Sequence, residues 1–570
     1  MYKKVFAQNQ GKNKYQIHLW DDDGYEIINW TNKAYIECSP QEATYQGLNG
    51  ESLKKTSNWY KENPKLHFHD MPPHQKFLIE RYGIDDTPSV THREFFFDIE
   101  TEMGESLTEE YIKSSPKKVT SIAWYDKQLD MWGSLILDVK NQVKHTKFKN
   151  KEIIPCRTEN ELLSKFLEIF REIDPDIVVG WNSDYFDIPY LYYRMCKVLG
   201  EDLARYLSPI GYVRETPWFK DQYIQIVGVE SLDLIRLHRK YSWADEPSYK
   251  LDEIGLKYVG MQKIEYEGNL DTLFETDINK YIQYNFRDVE ILVELDKKWG
   301  YLSLTKNLAH KGKHNYSEVY ANTKTQDGAI SAYLLSKNII PPSKERNPIS
   351  KKDYAGGYLF CPQAGIYNYM FDEDLTSLYP SIIMTINIGK ETMVGRIIDA
   401  NDRNNRLGLN DLKAMDPNGE IIIENIKEKR TSVKIKDLIS NIISNNYSIS
   451  ANGVIFTKER ESVLSTILKK WFDERQLYKT EMKKAYKSGD DKLGESFHMK
   501  QYTMKILLNS LYGALALPQF RFSSNKAILN EAITLSGHRI IQESALFVNK
   551  HINKVMKDPK ELEEFKNEVI

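Results

Sequence analysis

The sequence is poor in cysteine. Cys38, Cys156, Cys196 and Cys361 are spread through 570 residues with no Cys-x-x-Cys pair. That argues against a zinc site or a disulfide framework and for a reducing compartment, the cytoplasm. Long apolar runs are also missing, so no segment reaches membrane-spanning length, and the N-terminus has no signal-peptide pattern. Nor is there an excess of one charge. A net charge of −3 and a pI of about 6.5 do not announce a nucleic-acid partner, and any such surface has to come from local basic patches. What the chain does have is the composition of a folded protein, 41% hydrophobic and 28% charged, which excludes wholesale disorder.

This length exceeds one core, and roughly three to five domains are expected. Residues 1–90 mix strand-like runs (Tyr15–Trp20, Ala34–Cys38) with aromatic loops and read as a small α+β domain without assignable chemistry. His67, His69, Asp70 and His74 cluster there, but Pro72 and Pro73 lie among them, so a solvated loop is expected rather than a metal site.

The strongest chemistry begins at Arg93–Thr101, Arg-Glu-Phe-Phe-Phe-Asp-Ile-Glu-Thr. Its aromatic run marks a buried strand, and Asp98 and Glu100, two apart, share one face of it. Two acids on a core strand cost several kcal/mol each unless cations compensate them. A second buried strand, Asp176–Trp181, runs into Asn182-Ser-Asp-Tyr-Phe186-Asp187 and then a helix. Asp187 therefore lies at a strand-to-helix junction, while Asn182 and Phe186 suit bonding and stacking of a nucleotide. Asp277–Lys298 is an amphipathic helix, with Thr276 or Asp277 as its cap and Gly300 as its end. Tyr284 and Asp288, four apart, stand one above the other on it.

Residues 301–352 are polar and lysine-rich, with one helical stretch at Gly328–Leu335, and read as a connector. Tyr354-Ala-Gly356-Gly357 follows, and its glycines let backbone approach a phosphate chain. Residues 371–381 read Phe-Asp-Glu-Asp-Leu-Thr-Ser-Leu-Tyr-Pro-Ser. An apolar lead-in (Tyr367, Tyr369, Met370, Phe371) predicts a strand that stops at Asp374, and Pro380 suits the first turn of a helix continued by Ile382, Ile383 and Ile386. Residues 390–450 read as variable loops with short strands. A helical hairpin is predicted over 462–488 and 491–516, broken at Ser488-Gly489-Asp490. Arg475 and Lys479 are four apart on its first arm; Lys505, Asn509 and Tyr512 share a face of the second, and Gly513 follows. Cations converging from two helices suit a triphosphate.

In this order, these stretches resemble family B DNA polymerases, in wording closest to the T-even-type bacteriophage enzymes. Asp98/Glu100, Asn182…Asp187 and Tyr284…Asp288 resemble the three exonuclease motifs. Tyr354…Gly357 resembles the family's Tyr-x-Gly-Gly element, 371–381 its motif A, and Lys505…Gly513 its motif B. The resemblance implies a multidomain α/β and α+β chain with an RNase H-like 3′–5′ exonuclease domain and part of a right-hand polymerase. The implied order is an N-terminal domain (1–90), the exonuclease (91–300), the connector (301–352), palm (353–461), helical-hairpin fingers (462–516) and palm again (517–570). It also implies two Mg²⁺ or Mn²⁺ ions per active site. Asp98, Glu100, Asp187 and Asp288 would hold those of the exonuclease, with Tyr284 orienting a water and Asn182 and Phe186 holding a single-stranded 3′ end. Asp374 and the Leu375 carbonyl would hold metal in the palm. Ser377, Leu378, Arg475, Lys479, Lys505 and Asn509 would bind the dNTP, and Tyr379 would exclude a 2′-hydroxyl. Tyr354, Gly356, Gly357, Tyr512 and Gly513 would contact primer-template DNA.

The family's motif C, roughly Asp-Thr-Asp-Ser, is absent: no Asp-Thr-Asp occurs in the chain. The preferred expectation is the N-terminal part of a split or truncated replicative polymerase. A second polypeptide would supply motif C and the thumb, and with them any sliding-clamp contact. Two other readings compete: a stand-alone 3′–5′ exonuclease with a vestigial palm, and a non-catalytic DNA-binding scaffold. The complete exonuclease carboxylate set opposes the scaffold, and the intact motifs A and B oppose the vestigial palm.

Overall fold

The computed structural model describes residues 1–104, 108–217, 224–242, 245–344, 355–360, 364–366, 374–398, 407–426, 428–523, 528–555 and 557. Tyr354 and the apolar lead-in 367–371 lie outside them. The chain divides into two compact units. The first comprises 1–34, 56–63 and 71–332, the second 35–55, 64–70 and 333–570. No described helix is long and apolar enough to cross a membrane. Among the described residues Cys38, Cys156 and Cys196 are free thiols.

The first unit is built on a seven-stranded sheet. Its order is Thr146–Phe148, Lys151–Cys156, Met131–Leu137, Val119–Asp126, Glu94–Thr101, Ile177–Gly180, Glu230–Asp233. Glu94–Thr101 pairs antiparallel with Val119–Asp126 on one side and parallel with Ile177–Gly180 on the other. An internal strand bonded on both edges is buried on both faces, which is why it reads as a near-continuous apolar run. Phe95, Phe97 and Ile99 pack into a core with Leu162 and Phe166 of helix Glu159–Ile173 and Ile188 and Leu191 of helix Asp187–Leu199. By strand alternation Phe96, Asp98 and Glu100 face the other way. That face meets helix Ile278–Trp299, where the Tyr281 hydroxyl bonds Thr120 Oγ1 at 2.7 Å. Asp277 caps this helix through the Lys280 N–H, and Gly300 ends it at φ 66°. The expected connector is also largely helical, Tyr301–Gly312 and Asn322–Ser336, with His310, His314 and Tyr316 buried rather than solvated.

In the second unit, helix Leu378–Ile386 starts from Ser377, which is left-handed at φ 54°. The stretch expected to be loops with short strands forms a five-stranded antiparallel sheet. Its order is Arg430–Lys434, Glu420–Asn425, Met393–Ile397, Val454–Phe456, Ser448–Ile449. Ile397, Leu412, Ile421, Leu438 and Ile455 give it a core of its own. Isoleucines scattered among Asn, Asp and Lys hid this, because each strand contributes only one or two residues to the core. The hairpin arms are Val463–Lys487 and Asp491–Leu515, capped by the side chains of Ser462 and Asp490. A long helix, Ile528–Val555, follows.

The histidine-rich run near residue 70 is not a solvated loop. His69 is buried and bonds Ser343 Oγ at 2.9 Å, and Asp70 accepts the buried Arg521 guanidinium at 2.7 Å. His74 Nε2 lies 2.9 Å from Glu318 Oε2. A guanidinium taken out of water needs a carboxylate, and Asp70 meets that need. His69 and Asp70 thus turn to different partners.

Candidate functional site

The even positions of Glu94–Thr101 and the four-residue spacing on Ile278–Trp299 meet at one place. One carboxylate oxygen each of Asp98, Glu100 and Asp288 lie within 4.8 Å of one another, and this is the one such group of three among the described residues. Asp187, the first residue of its helix, brings a fourth carboxylate. Its Oδ1 accepts the backbone N–H of Ile99, between the two strand acids, at 3.2 Å. Asn285 Nδ2 donates to Asp98 Oδ2 at 2.8 Å. Lys263, on the loop after helix Leu251–Val259, donates to Asp288 Oδ2 at 2.6 Å and to the Tyr284 hydroxyl at 3.1 Å. Tyr284 is further fixed by an edge contact with Tyr266, ring centroids 5.5 Å apart.

Like charges without water repel strongly, and the carboxyls respond by holding protons. Burial, with the charges of Asp187, Asp288 and Glu100 added, lifts Asp98 well above the carboxylate range. Burial and Asp288 push Glu100 up to about 8. Burial carries Asp187 up to about 7 against the stabilising Ile99 N–H. Asp288 is raised by burial and held back by Lys263. Burial is the largest influence on Lys263 and opposes its charge, but Asp288, Tyr284 and Asp98 together keep the ammonium above its ordinary range. Asp288 Oδ1 is buried with no hydrogen-bond partner. Clustered acceptor-only oxygens, one of them orphaned, fit hard divalent cations.

The loop ahead of Asp187 is tightly held. Asn182 is left-handed at φ 61°, and Asp233 accepts its N–H at 3.0 Å and that of Asp184 at 3.3 Å. Gly180 cannot be replaced cheaply, because a Cβ there would lie 2.6 Å from that of Ser183. Asn182 and Phe186 are half-buried; the Phe186 ring packs on the core, 5.3 Å from the Tyr190 ring.

In the second unit Asp374, Leu375, Asn509 and Gly513 are exposed, and Ser377, Leu378, Tyr379, Lys505 and Tyr512 half-buried. The Tyr379 and Tyr512 rings pack at a tilt of 37°, their centroids 4.5 Å apart. A Cβ on Gly357 would lie 3.5 Å from the Tyr379 hydroxyl, while Gly356 has open space and its carbonyl accepts from His538 at 2.7 Å. Arg475 is lowered by burial, and its Nε is buried without a partner. Lys479 is lowered chiefly by the Arg475 charge, then by burial and by Lys483 and Lys505. The two arms thus bring mutually repelling cations together, the reverse of the carboxylate cluster and suited to a polyanion. Among the described residues, Asp374 belongs to no group of three metal-ligating side chains.

Sequence reasoning missed Lys263, Asn285 and Asp233. Lys263 sits in a loop with no periodic signal. Asn285 follows Tyr284 directly, and Asp233 ends a strand as a helix cap; only strand and helix partners reveal what either touches.

Comparison with known proteins bears on both halves. The family model described as DNA polymerase family B, exonuclease domain, matches residues 75–254, and that described as DNA polymerase family B matches 322–570. The DNA-directed DNA polymerase of Escherichia phage RB69 is 28% identical over 454 residues, 70% of this chain and 46% of that protein. That of Enterobacteria phage T4 is 27% identical over 454 residues, 70% of this chain and 47% of that protein. A DNA polymerase of Pyrococcus glycovorans is 24% identical over 501 residues, 85% of this chain and 54% of that protein. The chain spans about half the length of these curated relatives.

Proposed function

Because the chain belongs to DNA polymerase family B, we propose that its first unit is a 3′–5′ proofreading exonuclease and its second the nucleotide-binding part of a DNA-directed DNA polymerase. The observation that carries the reading is the convergence of Asp98, Glu100 and Asp288, with Asp187 tied to Ile99 beside them. The meander of Glu94–Thr101, Val119–Asp126 and Met131–Leu137, joined to parallel Ile177–Gly180 and Glu230–Asp233, supports an RNase H-like domain over about 91–300. The segments 353–461 and 517–570 would be palm, and 462–516 fingers.

Two Mg²⁺ or Mn²⁺ ions held by these carboxylates would supply Lewis acidity and a nucleophilic water at neutral pH. The protein's own groups do the rest. Tyr284, fixed by Lys263 and Tyr266, would orient the attacking water toward the terminal phosphodiester. Lys263 balances part of the carboxylate charge until substrate and ions arrive. Asn182 and Phe186 would hold the single-stranded 3′ end, with Asp233 keeping their loop rigid.

In the second unit Arg475, Lys479 and Lys505 would bind the triphosphate, with Asn509 on the same helix face and Ser377 and Leu378 at the start of their helix. Tyr379, packed at a tilt against Tyr512, would sit under the sugar and exclude a 2′-hydroxyl. Gly356, Gly357, Gly513 and Tyr354 would follow the primer-template. Asp374 and the Leu375 carbonyl offer one metal-binding corner. Primer extension needs a second carboxylate motif from outside these 570 residues, in a longer form of the protein or on a second polypeptide.

Incubating the chain with 5′-labelled single-stranded DNA and Mn²⁺ tests the first assignment. Stepwise loss from the 3′ end is expected, and Asp98→Ala with Glu100→Ala should abolish it. Unchanged digestion by the folded double mutant overturns the reading.

A further inference from the structure

Asp98 is held differently from its neighbours. Its partner is neither a cation nor a backbone N–H but the amide of Asn285, at 2.8 Å. Asn285 is fully buried on helix Ile278–Trp299, between Tyr284 and Asp288. Its own Oδ1 accepts the buried Ser121 hydroxyl at 2.8 Å. Ser121 lies on Val119–Asp126 directly opposite Glu100 in the antiparallel pairing. A two-bond relay thus runs from the strand backing Glu100, through the helix carrying Asp288, to Asp98.

We infer that Ser121 and Asn285 are positioning residues for the cations of this site: together they set the rotation of the Asp98 carboxylate. The inference rests on the metal-dependent exonuclease reading. An amide is planar and has one acceptor and one donor end. With the Ser121 hydroxyl fixed on the acceptor end, the NH₂ end must face Asp98. That bond ties down Asp98 Oδ2 and so fixes the plane of the carboxylate in which Oδ1 lies. A lysine in this place would compete with a cation for the carboxylate charge, as Lys263 does at Asp288; a neutral donor orients the ligand without that competition. Partners of this kind behind a metal ligand are typically worth 10–100-fold in metal affinity.

Equilibrium Mn²⁺ binding to the full chain without DNA, read by electron paramagnetic resonance, tests the relay. Asn285→Ala should weaken binding about tenfold or more. Asn285→Asp keeps the shape but sets an acceptor against an acceptor, and should weaken it further. Ser121→Ala frees the amide to flip and should give a smaller loss of the same sign. The deciding measurement is the double mutant: Ser121→Ala should add nothing once Asn285 is alanine, because the serine acts only through the amide. Mn²⁺ affinity unchanged in Asn285→Ala, or a fully additive Ser121→Ala, overturns the inference and leaves the exonuclease reading standing. Failure of the native chain to bind Mn²⁺ overturns both.

Discussion

Lys263 and Asp288 are paired at 2.6 Å through one carboxylate oxygen only, and the other oxygen of Asp288 is buried without a hydrogen bond. One cation therefore faces four clustered acids. This imbalance should make the site a source of instability in the free protein and, on the proposed reading, of affinity for divalent ions.

Removing the strand acids separates function from fold. Asp98→Ala with Glu100→Ala should cut hydrolysis of single-stranded DNA by at least a thousandfold, about 4 kcal/mol in barrier. The metal-free double mutant should melt no lower than the parent at pH 8, since it loses repulsion rather than packing. A calorimetric scan beside the nuclease assay checks both halves.

The acids also set a pH dependence in metal-free protein. Glu100 and Asp187 titrate near 8 and 7 in the folded state, above their unfolded values because burial disfavours the charge. A raised folded pKa gives stability that is present below the unfolded pKa near 4 and is lost as pH rises through the folded one. Thermal unfolding in EDTA should therefore fall between about pH 5 and pH 8. Mn²⁺ at pH 8 should restore it, since ions bind the folded state alone. A Tm that rises over this range in EDTA contradicts the assignment.

Lys263→Met removes the one cation and leaves Asp288 buried and unpaired. Loss of a partner from a buried pair costs roughly 3 kcal/mol. The loss should be larger at pH 8, where the acids are ionised, than at pH 5. Urea denaturation of the metal-free mutant at the two pH values measures the difference; equal losses would mean that Lys263 contributes packing alone.

In the second unit the signs reverse. Lys479 lies in the repelling field of Arg475, Lys483 and Lys505. Lys479→Ala should weaken dNTP binding, measured by fluorescence titration, by about tenfold, the 1.4 kcal/mol of one charge-assisted contact. Without nucleotide the same mutant should be no less stable than the parent. Asp374→Ala should leave hydrolysis of single-stranded DNA untouched, because the carboxylates proposed to carry it, Asp98, Glu100, Asp187 and Asp288, lie in the other unit.

Primer extension by the chain alone, with Asp98→Ala and Glu100→Ala in place, should yield no product. The proposed in-line transfer needs carboxylates from two motifs, and no Asp-Thr-Asp occurs in the sequence to join Asp374. Robust synthesis would show that this chain completes the palm by another route.

Local patterns in the sequence by themselves determined the elements that carry the site. Alternation put Asp98 and Glu100 on one face of a strand, a four-residue step stacked Tyr284 on Asp288, and Ser488, Gly489 and Asp490 marked the break between the hairpin arms, all because period and local turn signals are properties of neighbouring residues. Only the tertiary structure decided what meets across the chain. It chose which strand backs Glu100, brought Lys263 from a loop without periodicity to Asp288, and set Asp70 against the buried Arg521 where prolines suggested a solvated turn. It also gathered isoleucines between 397 and 455 into a sheet with its own core. Such pairings join residues tens to hundreds of positions apart, and burial and charge compensation select them only once the elements have packed.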